Sequence, residues 1–197
     1  MPGVERMMLD RVGDEVARAT SLVRYAPGSV FSAHVHGGGE EFLVLEGEFG
    51  DEHAVYPAGT YVRNPIGTSH TPRVGEQGCV IFVKLHQFEA DDRLQFAIDT
   101  TAAEWSPGLI PGLSVLGLHD FEGEHVALVR WAPDTSFNQH KHWGGEEIFV
   151  IEGTLFDEHG EYPAGSWIRS PHQSEHAPFT KSDGALIYVK VGHLGER

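Results

Sequence analysis

A single cysteine, Cys79, stands among the 197 residues, so the chain can build neither a disulfide framework nor a thiolate metal site. Basic residues are scarce as well: 14 Lys and Arg face 29 Asp and Glu, a formal net charge of −15. A field of that sign repels phosphate backbones and anionic bilayers, and no basic stripe interrupts it. Nucleic acid and membrane surfaces are therefore not expected as partners. No apolar run approaches the roughly 18 residues of a membrane span. The opening MPGVERMMLD lacks the basic-then-apolar order of a secretory signal, so the expected compartment is the cytoplasm. Helix signals are few and weak, confined to 90–97 and 100–104. Turn formers are abundant, with 24 Gly and 11 Pro, and 40% hydrophobic residues are enough for a core. The other surplus is 13 histidines, and their placement decides the reading.

The chain repeats itself. Residues 22–85 lie over 128–191 at a constant offset of 106, without a gap, and 30 of the 64 positions are identical. A period of that size marks a duplicated domain, not a solenoid. The expected organisation is an N-terminal domain over 1–90, a connector over 91–106 and a C-terminal domain over 107–197. Each half reads as short strands punctuated by turns. EEFLVLEG and EEIFVIEG are apolar runs closed by glycine, VIFVKL and LIYVKV are β-branched and aromatic, and YPAG occurs in both halves. Many short strands with almost no helix predict an all-β fold, a small barrel or jelly roll in each half.

The histidines fall into register with the repeat. His34, His36, Glu40 and His70 in the first half match His140, His142, Glu146 and His176 in the second, at identical spacings. On a strand, His-x-His places both rings on one face, because side chains alternate with period two. Past the tight turns at 37–39 and 143–145 the carboxylate can swing back to that face, and the distant histidine closes the set from another strand. Three imidazoles and one carboxylate suit a borderline divalent ion: zinc, iron(II), manganese, nickel or copper. Four ligand-type residues occurring twice in register outweigh the ordinary reading of a strand histidine pair as a surface feature.

These residues also resemble a known family. Gly28-x5-His34-x-His36-x3-Glu40-x6-Gly47, followed by Gly59-x5-Pro65-x-Gly67-x2-His70, is similar to the two cupin motifs, and the second half repeats them with Asp134 and Gln173 at two glycine positions. The phrasing HxHxGGEExxVxEGxxxDExxxYPAGxxxRxP is closer still to the cupin half of the anti-sigma factor ChrR, and to stand-alone cupins that cleave diketones or hydroxyacetophenones with oxygen. The resemblance implies two tandem cupin-type β-jelly-roll barrels, a bicupin. Each barrel would hold a divalent ion on the eight residues named, with Fe(II) or Zn(II) foremost. It further implies a small-molecule ligand or substrate. The resemblance leaves two functions open: a non-heme-metal dioxygenase acting on a small diketone or hydroxyketone, or a zinc-binding sensor without turnover. A monomer and a homodimer are both compatible with a tandem arrangement.

Other repeated residues receive plainer expectations. Glu41 and Glu147 are read as pointing away from the ligand face. Asp51-Glu52-His53 and Asp157-Glu158-His159 are read as solvated hairpin tips, Arg63 and Arg169 as surface ion-pair partners. Phe31 and Phe137 line a pocket or pack the core, Cys79 is a buried apolar residue, and His172 lies on an exposed loop.

Overall fold

The computed structural model describes residues 3–14 and 16–195. The chain forms two compact units, residues 1–103 and 104–197. No helix occurs among the described residues. The first unit contains β1 (Val4–Val12), β2 (Arg18–Tyr25), β3 (His34–Val35), β4 (Glu40–Gly50), β5 (Val55–Pro57), β6 (Thr60–Asn64), β7 (Ser69–His70), β8 (Arg73–Leu85) and β9 (Phe96–Asp99). The second contains β10 (Ser106–Pro107), β11 (Leu113–Phe121), β12 (Glu124–Trp131), β13 (His140–Lys141), β14 (Glu146–Asp157), β15 (Gly160–Pro163), β16 (Trp167–Ser170), β17 (Glu175–His176) and β18 (Ala185–Val191).

Each unit is a jelly-roll barrel, made of one seven-stranded sheet and a separate two-stranded ribbon. In the first the order is β1-β2-β8-β4-β6-β9, with β5 on β4, and the ribbon is β3-β7. In the second it is β10-β11-β12-β18-β14-β15, with β16 on β14, and the ribbon is β13-β17. The barrel interiors follow from period-two alternation. Val23, Phe42, Val44, Val62, Ile81 and Val83 point inward in the first unit; Trp131, Ile148, Val150, Leu155 and Ile187 do so in the second.

The weak helix signals at 90–97 and 100–104 are overridden. Residues 96–99 pair antiparallel with β6, so the open edge of the first sheet captures this segment as a strand. The stretch read as a connector, 91–106, thus gives β9 to the first unit and β10 to the second. The segment just before β9 covers the outer face of the first sheet. There Arg63, 1% exposed, bonds Glu41 and Asp92 and lies 4.1 Å over the Phe88 ring. Arg63 is therefore a buried ion-pair partner, not the surface one expected. Arg169 in the second unit is exposed. Among the described residues no helix is long and apolar enough to cross a membrane.

Candidate metal centres

The ribbon in each barrel sets the geometry. Register pairs His34 with His70 across β3 and β7, and His140 with His176 across β13 and β17. Directly opposed residues share a face, so the two rings of each pair meet. Val35 and Lys141 project the other way, into solvent. His36 and His142 follow their strands, and Glu40 and Glu146 open β4 and β14 after the glycine turn. The structure thus brings together all eight residues singled out by spacing, as two groups of four. Within each group, one potential ligand atom per residue lies within 4.8 Å of every other, and each group could hold a metal ion. Glu40 Oε2 stands 3.3 Å from His36 Nε2 and 3.7 Å from His70 Nε2; Glu146 Oε2 stands 3.4 and 3.6 Å from His142 and His176 Nε2.

Hydrogen bonds on the outer ring nitrogens orient the inner ones. His34 Nδ1 donates to the Ser32 carbonyl, His36 Nδ1 to Thr68 Oγ1 and His70 Nδ1 to Asp51 Oδ2, at 3.3, 2.9 and 3.3 Å. His140 and His176 repeat this with the Asn138 carbonyl and Asp157 Oδ2, at 3.0 and 3.2 Å. A proton held at Nδ1 leaves the Nε2 lone pair facing inward. His70 and His34 Nε2 then face each other at 3.2 Å, lone pair to lone pair, an arrangement that a shared cation stabilises. His36 Nε2, His142 Nε2 and Glu146 Oε2 are buried without a hydrogen-bond partner in the protein. Burying such atoms costs about 1–3 kcal/mol each unless something coordinates them. The donor set therefore fits a divalent ion of nitrogen and oxygen preference in both units.

The two centres differ in charge. Burial alone would raise Glu40, but the His36 ring, His70 and the Asn64 amide hold its carboxyl below the usual range. At the equivalent of Asn64 the second unit has Ser170, and burial, reinforced by Asp157, pushes Glu146 up to about 8. Burial together with the neighbouring His176 and His140 depresses His142 to about 4, and burial also lowers His70 and His176. These rings are neutral at pH 7 and can ligate without losing a proton.

A pH dependence follows for the metal-free chain. Below pH 6.5 the raised Glu146 and the depressed histidines act in opposite directions. Between 6.5 and 8 the folded state holds a proton on Glu146 that the unfolded state has lost, so stability falls as pH rises. Denaturant unfolding of metal-free protein should show this decline, and Glu146→Gln should flatten it. Glu40, held low, contributes no slope in that window.

Two carboxylates essential to this arrangement escape the sequence reading. Asp51 and Asp157 were expected on solvated tips, yet their side chains are 3% and 4% exposed. Asp51 Oδ1 accepts the backbone N–H groups of His53 and Ala54, which turns Oδ2 inward to His70. Asp157 does the same with His159 and Gly160, and also accepts from Tyr162 Oη at 2.9 Å. Burial would raise Asp157, but these bonds and His176 hold it below the usual range. Glu52 and Glu158 tie each tip to the strand end beside its histidine by accepting from the Thr71 and Ala177 N–H. The recurrence of Asp-Glu-His at the 106-residue offset was the available signal. Asp51→Asn should weaken metal binding by the first unit about 10–100-fold, the usual effect of losing such a partner. Competition with a chromogenic chelator measures it, and an unchanged affinity would contradict the assigned role.

The remaining residues resolve simply. Glu41 and Glu147 point away from the centres, as expected, but are buried: Glu41 accepts from Tyr61 Oη at 2.5 Å and from Arg63, and Glu147 bonds His193. Phe31 and Phe137 do both things proposed for them, packing on the core and lining the cavity beside the histidines. Cys79 is buried, and burial pushes its thiol up to about 12. His172 is half-buried on its loop, accepting from the Gly144 N–H with its ring 4.8 Å from that of Trp143.

The family described as the ChrR cupin-like domain matches residues 1–89 and again 94–195. No curated protein matches the chain in sequence. Among solved structures, a Nostoc punctiforme protein provisionally assigned as a dioxygenase superposes with a TM-score of 0.80 at 15% identity, over 98% of this chain and 75% of that one. A variant of the salicylate 1,2-dioxygenase of Pseudoaminobacter salicylatoxidans gives 0.70 at 10% identity, over 88% and 71%. The Bacillus subtilis oxalate decarboxylase, described with Mn(II) centres, gives 0.60 at 13%, over 98% and 74%. At these identities the likeness is one of fold.

Proposed function

The chain belongs to the ChrR cupin-like family, and from that premise we propose that it is a metal-dependent dioxygenase acting on a small diketone or hydroxyketone. The observation that carries the reading is a cavity of about 370 Å³ in the first unit, opening beside His34, His36, Glu40 and His70. A small chelating molecule has room there next to the four ligand atoms, and His34 is the exposed member of the set. Two of the structurally similar proteins are described as dioxygenases, which is consistent with this assignment.

His34, His36, His70 and Glu40 would hold the ion in the first unit; His140, His142, His176 and Glu146 would hold it in the second. Once bound, the ion supplies Lewis acidity toward an enolisable dicarbonyl and access to oxygen chemistry. The protein contributes orientation and exclusion of water. Asp51 and Thr68 fix the rings of His70 and His36, so the ligand set is preorganised. Phe31, Phe49, Pro72 and Leu85 supply apolar walls that exclude water from the reacting end of the substrate. No serine or cysteine nucleophile lines the cavity in a base-activated arrangement, and none is needed for this class of reaction.

The second unit supports a different role. Its cavity is about 170 Å³ and, apart from His140, Glu146 and His176, its lining is apolar, with Leu113, Trp131 and Phe137 around the ligands. That smaller space favours a structural or sensing zinc in this barrel. The test is oxygen uptake by the full chain, loaded with iron(II) under anaerobic conditions and then given acetylacetone or 2-hydroxyacetophenone with oxygen. The expected result is uptake stoichiometric with substrate consumed, lost in His36→Ala and retained in His142→Ala. A chain holding two irons that consumes no oxygen with either compound would remove the oxygenase reading and leave the sensor.

A further inference from the structure

Strands β1–β8 align with β11–β18, and three cavity positions differ in chemical kind. In the first unit register pairs Val4 with Tyr25 and Arg6 with Val23. In the second it pairs Leu113 with Trp131 and Val115 with Val129. Because directly opposed residues share a face, Arg6 projects to the same side as the interior Val23, and Val115 is its counterpart. Tyr25 corresponds to Trp131, and His86, 106 residues before Gly192, corresponds to that glycine. Arg6, Tyr25 and His86 all line the first cavity, and Val115 and Trp131 line the second. His86 adopts a left-handed backbone, φ 56°, where the second unit has a glycine. A non-glycine residue kept in that conformation costs of order 1 kcal/mol or more and marks a position held for its side chain.

Among the described residues Arg6 forms no ion pair and the Tyr25 hydroxyl no hydrogen bond. Arg6 is exposed and Tyr25 half-buried, and both line the same cavity as His34, His36, Glu40 and His70. Burial raises the Tyr25 phenol, with Glu40 adding to the rise and Arg6 opposing it, so the hydroxyl stays a hydrogen-bond donor. The chain as a whole carries −15, which disfavours anions at long range. At physiological salt that field is screened beyond about 8 Å, and a local cation governs what the cavity accepts. An arginine fork offers paired, charged N–H donors matched to a carboxylate; a valine offers none, and the Trp131 indole offers a single neutral N–H.

We infer that the first cavity, and not the second, takes a carboxylate-bearing dicarbonyl, with Arg6 anchoring the carboxylate and Tyr25 donating to an oxygen of the same molecule. This rests on the reading of His34, His36, Glu40 and His70 as a metal centre, toward which the dicarbonyl end would lie. The substrate class is thereby narrowed from neutral diketones to diketo acids.

The experiment uses the full chain loaded with zinc, which binds ligand without oxygen chemistry, and follows binding by isothermal titration calorimetry. The probes are 2,4-dioxopentanoate and its methyl ester, which differ in one negative charge. The expected result is one equivalent of the acid per chain, bound at least tenfold more tightly than the ester. Arg6→Val should abolish that preference, and Arg6→Lys should keep part of it. Equal binding of acid and ester, a preference that survives Arg6→Val, or two equivalents of acid per chain would each overturn the inference. Zinc content is measured on the same samples. Two zincs with any of those outcomes removes the anion site alone, whereas a chain that retains no zinc removes the metal reading and the inference with it.

Discussion

A His36→Ala chain is expected to retain one equivalent of divalent metal where the parent retains two, with the remaining ion in the second unit. His36 Nε2 lies 3.3 Å from the Glu40 carboxylate and is buried without a hydrogen-bond partner in the protein. Removing it deletes one donor of four, and the first unit should lose more than the roughly 10–100-fold in affinity that a missing outer-shell partner costs. Metal-free stability should fall as well, because the buried ring and its Nδ1 bond to Thr68 Oγ1 are lost, so the assignment is read from the metal-dependent increment. The stabilisation that added metal gives the first unit should vanish, since it scales with binding to the folded form. Metal analysis after dialysis, paired with melting curves with and without metal, reads both effects. Two equivalents in the His36→Ala chain would contradict the assignment.

The second large effect is on folding. Gly47 has φ +70° at the irregular stretch of β4, and a β-carbon there would stand 2.0 Å from the Gly78 carbonyl oxygen. Gly153 repeats it, with φ +70° and 2.2 Å to the Gly184 carbonyl. Neither contact can relax by a side-chain rotation, because both partners are backbone. Left-handed strain of about 1–2 kcal/mol and overpacking of about 1–3 kcal/mol should together cost about 3 kcal/mol in Gly47→Ala. Gly67 is the control: its φ is +88°, but nothing lies within 4 Å of where a β-carbon would stand, so only strain acts. Gly67→Ala should cost about 1 kcal/mol. Urea unfolding of the two variants decides the matter, and equal midpoints would show that the close approach of the two backbones carries no weight.

The clustering of the eight candidate ligands was legible because each step from sequence to geometry was local or repeated. Period two fixes the shared face of His34 and His36, and the duplication shows that the distant His70 belongs to the set, since His176 recurs at the same spacing. The all-β character was legible for the same reason, in the short apolar runs closed by glycine. What escaped depends on long-range packing. Asp51 looks like an ordinary turn residue until its Oδ1 caps the turn and its Oδ2 is left for a histidine 19 positions away. Arg63 looks like a surface residue until 86–95 folds back to bring Phe88 and Asp92 over it. Local helix signals at 90–97 were overridden by an open sheet edge at β6.

The central claim is that each barrel holds one divalent ion on three imidazoles and one carboxylate. Crystals of the metal-loaded chain, measured on both sides of the absorption edge of that metal, test it most directly. Two anomalous peaks are predicted per chain, one among His34, His36, Glu40 and His70 and one among His140, His142, Glu146 and His176, at about 2.0–2.2 Å from the ligand atoms. Peaks at other side chains, or none at these eight residues in metal-saturated protein, would contradict it.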